Sequence, residues 1–386
     1  MLRISQRAEQ LRPSPIRRFF SLVEQMPDAI SLSIGEPDFI TPWYIREAAM
    51  YSLEKGHTHY AANQGVPELR SEVARYLERR FGVSYDPETE ILITVGVSEA
   101  LDLTYRALIE PGDQVLIVEP AFVSYGPVVT LAGGMVISVP TRQEDEFKVR
   151  REQLEVALSP AAKIINLCYP SNPTGAMMTR DDLLPIAQLA EERDLIVVSD
   201  EIYAELTYDD DHCSFASLPG MKKRTVLLNG FSKGFAMTGW RLGFAAAPAE
   251  VVAAMTNIHA YTMMSVATVV QKAAAEALRA GDREVARMRQ EYNQRRRLVV
   301  GRLHAMGLEC FNPRGAFYVF PSIRTTDLGS EEFAERLLRE QKVAVIPGNA
   351  FGECGEGHVR CSYATSLSDL EEALRRMAIF VEVCHH

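Results

Sequence analysis

The rhythm of apolar positions changes along the chain, and it predicts the elements. Between Gly65 and Phe81, apolar Leu69, Val73 and Leu77 recur every four residues behind Pro67, the spacing of a helix with proline in its first turn. A strand over Ile91–Val95 follows, then a helix over Ser98–Ile109, a turn at Glu110-Pro111-Gly112-Asp113 and a strand from Gln114 to Val118. Further apolar runs stand at Val136–Val139, Lys163–Cys168, Leu195–Ser199, Thr225–Asn229 and Phe244–Ala247. They lack the alternation of a half-exposed strand, so they predict strands buried on both faces. Helices alternating with about seven such strands, from Trp43 to Glu250, predict an α/β fold with a mostly parallel central sheet covered on both sides.

A long helical stretch from Val251 to Met306, charged in its second half at Arg295, Arg296 and Arg297, is expected to link this unit to the next. Beyond Leu308 the elements shorten: strands at Ala316–Phe320, Val343–Ile346 and His358–Ala364, a helix over Ser330–Gln341, and a last helix from Leu367. That style predicts a smaller α+β domain. The chain has 386 residues, more than one hydrophobic core usually organises. The expected division is an N-terminal arm over 1–42 that contributes to the small domain, a large domain over 43–280 and a small C-terminal domain over 281–386.

Composition narrows the partners. With 41 basic and 51 acidic residues the formal charge is −10, which argues against nucleic acid or an anionic membrane and leaves small molecules. Six cysteines without C-x-x-C pairs or matching histidines suggest neither a metal site nor a disulfide framework, so a reducing cytoplasm is expected. No apolar run reaches the length that spans a bilayer. Arg3, Arg7, Arg12, Arg17 and Arg18 make the N-terminus basic, but Glu9, Pro13 and Pro15 interrupt the amphipathic pattern of a transit peptide. An arm packed on the protein is expected instead.

The chemistry concentrates in the string Gly230-Phe231-Ser232-Lys233-Gly234-Phe235-Ala236-Met237-Thr238-Gly239-Trp240-Arg241-Leu242-Gly243. A desolvated lysine beside a cation has a depressed pKa and can attack an aldehyde and shuttle protons. A serine hydroxyl and a forked guanidinium suit a phosphate dianion, which suggests Ser232 and Arg241. Upstream, the apolar run Leu195–Ser199 ends in Asp200-Glu201-Ile202-Tyr203, placing Asp200 at the carboxyl end of a strand, where doubly wound folds bind ligands. Thr94-Val95-Gly96-Val97-Ser98-Glu99 runs from strand through glycine into helix, a natural phosphate seat on the amides of Gly96, Val97 and Ser98.

The lysine string resembles, at every defined position, the signature of class I and II aminotransferases, and motifs in the family's order extend the resemblance from Ile30 to about Met377. The resemblance implies fold type I and pyridoxal 5'-phosphate held as a Schiff base on Lys233, with Ser232 and Arg241 on its phosphate. It implies Asp200 as partner of the pyridine nitrogen. It also implies Tyr203, with Asn172 of Pro170-Ser171-Asn172-Pro173-Thr174-Gly175, at the phenolic oxygen, and Phe122 rather than Tyr125 stacked on the ring. Arg360 in His358-Val359-Arg360-Cys361 and Gly35 in Ser33-Ile34-Gly35-Glu36-Pro37 match positions that grip the substrate carboxylate. Tyr60 matches a tyrosine that reaches the phosphate of a neighbouring subunit, which implies a homodimer.

The implied activity is transfer of an amino group from an L-amino acid to a 2-oxo acid in a ping-pong cycle. The chain is most similar to the prokaryotic aspartate and aromatic aminotransferase branch. Dicarboxylate-selective members can carry lysine where this chain has Ser98, so an aromatic or neutral substrate is preferred over aspartate. Arg17 and Arg18 would reach a distal carboxylate if the arm folded over the site. A carbon–sulfur lyase on the same fold is the alternative, because the cofactor machinery is shared. A dinucleotide-binding protein lacks its G-x-G-x-x-G loop here, and a regulator would bring an additional DNA-binding segment.

Overall fold

The computed structural model of the chain describes residues 4–11, 23, 26 and 28–384. After a short strand β1 (Ile30–Ser31) come β2 (Ile91–Thr94), β3 (Gln114–Glu119), β4 (Met135–Pro140), β5 (Ala162–Cys168), β6 (Ile196–Asp200), β7 (Thr225–Gly230) and β8 (Gly243–Ala246). Strands β2 to β8 form one sheet in the order β2-β8-β7-β6-β5-β3-β4. All its pairings are parallel except those of β8, which runs against β2 and β7. Strands β2, β7 and β8 are buried throughout, as unbroken apolar runs require. The exception is β4, which was expected to be covered on both faces but lies at the sheet edge and is largely exposed.

Local signals set the helix ends. Pro67 opens the helix Pro67–Phe81 and Gly82, at φ 67°, closes it in the left-handed region that glycine tolerates. The helix after β2 begins at Gly96, two residues before the expected Ser98, so Gly96, Val97 and Ser98 all fall in its first turn. The stretch expected to be one long helix divides into three, Ala249–Thr262, Thr268–Ala280 and Asp282–Ala305. Arg295 and Arg296 are not a solvated face. Both are buried, Arg295 against Asp38 at 2.8 Å and Arg296 on both carboxylate oxygens of Asp209 at 2.6 and 3.1 Å.

The C-terminal part contains β9 (Tyr318–Val319), β10 (Val343–Ala344), β11 (Ile346–Pro347) and β12 (Val359–Ser362). The run read as one strand over Val343–Ile346 is two, because β10 pairs with β1 while β11 joins the separate sheet β11-β12-β9. The β1–β10 pairing is parallel, and Ser362 donates its N–H to the Leu32 carbonyl at 2.7 Å. The residues around Ile30 to Ser33 are thereby fastened to the C-terminal sheets. Among the described residues, no helix is long and apolar enough to cross a membrane.

The direction of β8 decides where chemistry can happen. Because β8 opposes both β2 and β7, the carboxyl ends of β2, β3, β5, β6 and β7 open on one edge of the sheet, together with the start of β8. Backbones close tightly there: a Cβ on Gly243 would lie 2.7 Å from both the Gly96 carbonyl carbon and the Val97 nitrogen. Gly243→Ala should therefore lower the unfolding free energy by about 1–3 kcal/mol in urea titration, since backbone and not a flexible side chain must move. Gly301→Ala, on a helix position with open space around it, should leave stability unchanged or slightly raised. Equal losses in the two variants would contradict this packing.

Candidate active site

A cavity of about 600 Å³ opens at that edge. Its lining draws Phe122 from beyond β3, Asn172 from beyond β5, Asp200 and Tyr203 from β6 and its turn, and Ser232 and Lys233 from beyond β7. Val97, Ser98, Arg241, Gly35 and Arg360 also stand in the wall, whereas Gly96 lies just behind it, where a Cβ would come 3.0 Å from Arg241 Nη2. Positions separated by more than 300 residues in sequence meet because five strand ends and the 31–36 segment face one space.

Asp200 is the buried acid of the site. It ends β6, opposite Cys168 on β5. Its Oδ2 accepts the Tyr125 hydroxyl at 2.7 Å and its Oδ1 accepts the Ile202 N–H at 3.2 Å; among the described residues no ion pair reaches it. Burial pushes its carboxyl up to about 6, while the two hydrogen bonds pull it back. The next acid, Glu201, projects to the other side, as alternation along a strand demands. It accepts the Ser199 hydroxyl, the Ser214 hydroxyl and the Phe215 N–H at 2.8, 3.0 and 3.1 Å, and this anchors the strand end beneath Asp200.

Lys233 donates from Nζ to the Gly35 carbonyl at 2.6 Å. Burial, and after it the guanidinium of Arg360, push its amine down to about 8; Arg241 adds to this, and Glu36 and Asp200 oppose it. At pH 7 about one amine in ten is then neutral, against roughly one in three thousand for an ordinary lysine.

An anion seat lies beside these two groups. The helix Gly96–Leu108 carries no side-chain cap at Val95, so its first-turn amides and dipole face the cavity end without a side-chain acceptor of their own. A Cβ on Gly96 would sit 3.0 Å from Arg241 Nη2, so the glycine lets the guanidinium approach the helix start. Arg241 itself has φ 52°, a left-handed conformation costing roughly 1–2 kcal/mol in a non-glycine residue, and it donates to the Thr238 carbonyl at 3.1 Å. Strain of this kind gathers where a side chain must be aimed.

Across the cavity, Arg360 donates from Nη1 to Asn172 Oδ1 at 2.9 Å and from Nη2 to the Ser33 carbonyl at 2.6 Å. Its guanidinium lies over the rings of Tyr318 and Phe351, 4.6 and 4.9 Å from their centroids, and its Nε is buried without a partner. The hydroxyls of Tyr203 and Tyr318 are 2.8 Å apart. Tyr60 is the one expected residue that its own chain leaves far outside: it is 83% exposed and does not line the cavity. Arg17 and Arg18 lie outside the described residues.

Sequence reasoning overlooked Tyr125 as a partner of Asp200, and Tyr318 and Cys168 as parts of the wall. Tyr125 opens the helix Tyr125–Ala132 three residues after Phe122, and its N–H donates to the Phe122 carbonyl at 3.1 Å. For Tyr318 there was no local signal beyond strand propensity.

The model for aminotransferase class I and II matches residues 27–377. The chain belongs to that family. An aspartate aminotransferase of Pyrococcus abyssi and an aromatic-amino-acid aminotransferase of Thermococcus litoralis are each 48% identical to it, over 97% of both chains in either case. The crystal structure of an aromatic aminotransferase from Pyrococcus horikoshii superposes with a TM-score of 0.91 at 47% identity, covering 95% of this chain and 99% of that one. This aminotransferase thus has fold type I, uses pyridoxal phosphate and transaminates amino acids, as its family does. The carbon–sulfur lyase alternative finds no support in these relatives.

The residues fit that cofactor. A buried carboxylate with no ion pair among the described residues suits a protonated ring nitrogen, an amine of depressed pKa suits an aldehyde, and an uncapped helix start beside an arginine suits a phosphate. If burial sets the state of Lys233, acylation of that residue in cofactor-free protein should follow pH with a midpoint near 8, unreactive below and reactive above. Peptide mass mapping across a pH series measures this, and a midpoint near 10.5 would contradict it.

Proposed function

We propose that Lys233 carries pyridoxal phosphate covalently and is the base that takes the proton from the substrate's Cα, with Asp200 and Tyr203 tuning the ring. The amides of Gly96, Val97 and Ser98, the Ser232 hydroxyl and the Arg241 guanidinium hold the phosphate. Phe122 covers a ring face, and Asn172 and Tyr203 hold the phenolic oxygen. Arg360, assisted by Asn172 and the Gly35 N–H, grips the substrate carboxylate. When bound, the cofactor supplies an aldehyde for the amino group and a protonated ring that accepts the electron pair left at Cα.

Each residue then has one physical task. Lys233 Nζ holds the proton removed from Cα and returns it at the neighbouring carbon, which its depressed pKa makes feasible near neutrality. Asp200, ionised above about pH 6, keeps the ring nitrogen protonated. Arg360 is preorganised by Asn172 and Ser33, so a carboxylate meets a fork whose orientation is already fixed.

Substrate choice rests on one observation. The described lining has three cations, Lys233, Arg241 and Arg360, and each has a task already, while Ile34, Val97, Leu101, Phe122 and Ile202 supply apolar wall. A side-chain carboxylate would be desolvated without a cation of its own, whereas an aromatic or neutral side chain loses nothing. Aromatic or neutral amino acids are therefore preferred over aspartate, with a 2-oxo acid as acceptor.

The enzyme acts as a homodimer, in which Tyr60, exposed on its own chain, reaches the phosphate of the partner's site. Residues 43–280 are read as the large domain and 281–386 as the small one, to which the N-terminal arm, 1–42, contributes through β1, as the β1–β10 pairing supports. A reducing cytoplasm suits its six free cysteines.

In single-turnover experiments that follow the cofactor absorbance, phenylalanine or tyrosine should react with at least about tenfold higher efficiency than aspartate. A preference for aspartate would overturn the substrate reading. Lys233→Ala should abolish turnover, and Asp200→Ala should slow Cα proton removal by at least ~100-fold, or about 2.7 kcal/mol. Near-normal rates in either variant would remove that residue from its role.

A further inference from the structure

Tyr318 enters the cavity from β9, and three contacts converge on it. Its hydroxyl lies 2.8 Å from that of Tyr203, its ring lies beneath the Arg360 guanidinium at 4.6 Å, and its hydroxyl would be 2.5 Å from any Cβ at Gly35. Both tyrosines are almost fully buried, so neither hydroxyl has bulk water as an alternative partner. A phenol has one proton to donate. In a pair of phenols one therefore donates to the other, and the recipient keeps its own proton for a third group.

We infer that Tyr318 is a positioning residue that donates its hydroxyl proton to Tyr203, leaving the Tyr203 proton aimed at the cofactor's phenolic oxygen. The direction follows from charge. A guanidinium against the face of Tyr318 stabilises negative charge on that phenol and makes it the better donor. Among the described residues no guanidinium lies against the Tyr203 ring; the cation over it is Lys233 Nζ, 5.9 Å from its centroid. Burial raises both phenols, and Arg360 draws both back; at Tyr318 it is the largest opposing influence, whereas at Tyr203 it ranks behind Tyr318 and the Cys168 thiol, and Tyr203 goes well above its ordinary value. Gly35 belongs to the same device, because any side chain there would displace the Tyr318 hydroxyl.

This inference rests on the assignment of Tyr203 to the phenolic oxygen, and the test separates the two. A hydroxyl donated to that oxygen favours the cofactor form that has lost its proton, so weakening the bond raises the pH midpoint of the holoenzyme's absorbance change. Without substrate, Tyr318→Phe should raise that midpoint by about half a unit to one unit, and Tyr203→Phe should raise it further. The double variant should match Tyr203→Phe alone, because Tyr318 acts only through Tyr203. Gly35→Ala, which moves the same hydroxyl without removing it, should shift the midpoint in the same direction, and cofactor dissociation measured by dialysis should quicken in step. An unmoved midpoint in Tyr318→Phe beside a shifted one in Tyr203→Phe overturns this inference alone, as would additive shifts in the double variant. An unmoved midpoint in Tyr203→Phe overturns the assignment of Tyr203 and this inference with it.

Discussion

A carboxylate buried at the end of a parallel strand, with a phenol and a backbone amide as hydrogen-bond partners and no ion pair among the described residues, is the constraint from which the rest of this structure follows. Asp200 is costly in that position: burial is the largest cause that raises its carboxyl to about 6. The surroundings are arranged to tolerate it. Tyr125 donates from one side, the Ile202 amide from another, and Glu201 fastens the strand behind through its own hydrogen bonds. A carboxylate held this way suits a protonated pyridine ring, the pairing proposed above.

The same logic extends outward. A carboxylate that orients one end of a planar ligand is useful only if the other end is held too, and the sheet topology arranges that. Reversal of β8 brings the start of the helix Gly96–Leu108 and the Arg241 guanidinium to the edge that carries Asp200 and Lys233. Close contact of Gly243 with Gly96 and Val97 makes that convergence tight. The C-terminal sheets then add Arg360 and Tyr318, with β1 and the Ser33 carbonyl tying the N-terminal segment to them.

Much of this was legible in the residues. Unbroken apolar runs gave the buried strands, and Asp200 could be placed at a strand end because Leu195–Ser199 is followed directly by two acids. The glycine-rich string around Lys233 fixed the amine and its arginine together. What was not legible depends on contacts distant in sequence. Tyr125 and Asp200 are 75 residues apart, and Tyr203 and Tyr318 are 115 apart, so no local pattern marks either pair. The exposure of β4 is an edge effect, set by its position in the sheet order and not by its own apolar sequence. Nothing local marks Arg295 and Arg296 as buried, because Asp38 and Asp209, which pair with them, lie in remote segments. Whether Tyr60 completes a second site depends on another copy of the chain, which no local pattern shows.

The proposed pairing of Asp200 with a positive charge on the cofactor can be measured at the carboxyl itself. Carbon-13 labelling of aspartate with assignment of the Asp200 carboxyl by the Asp200→Asn variant would measure its titration directly. The account predicts a midpoint near 6 in the cofactor-free protein, and a fall of at least about one unit once pyridoxal phosphate is bound, because a nearby positive charge favours the ionised form. An unchanged midpoint on binding, or an ordinary value near 4 in the free protein, would contradict it.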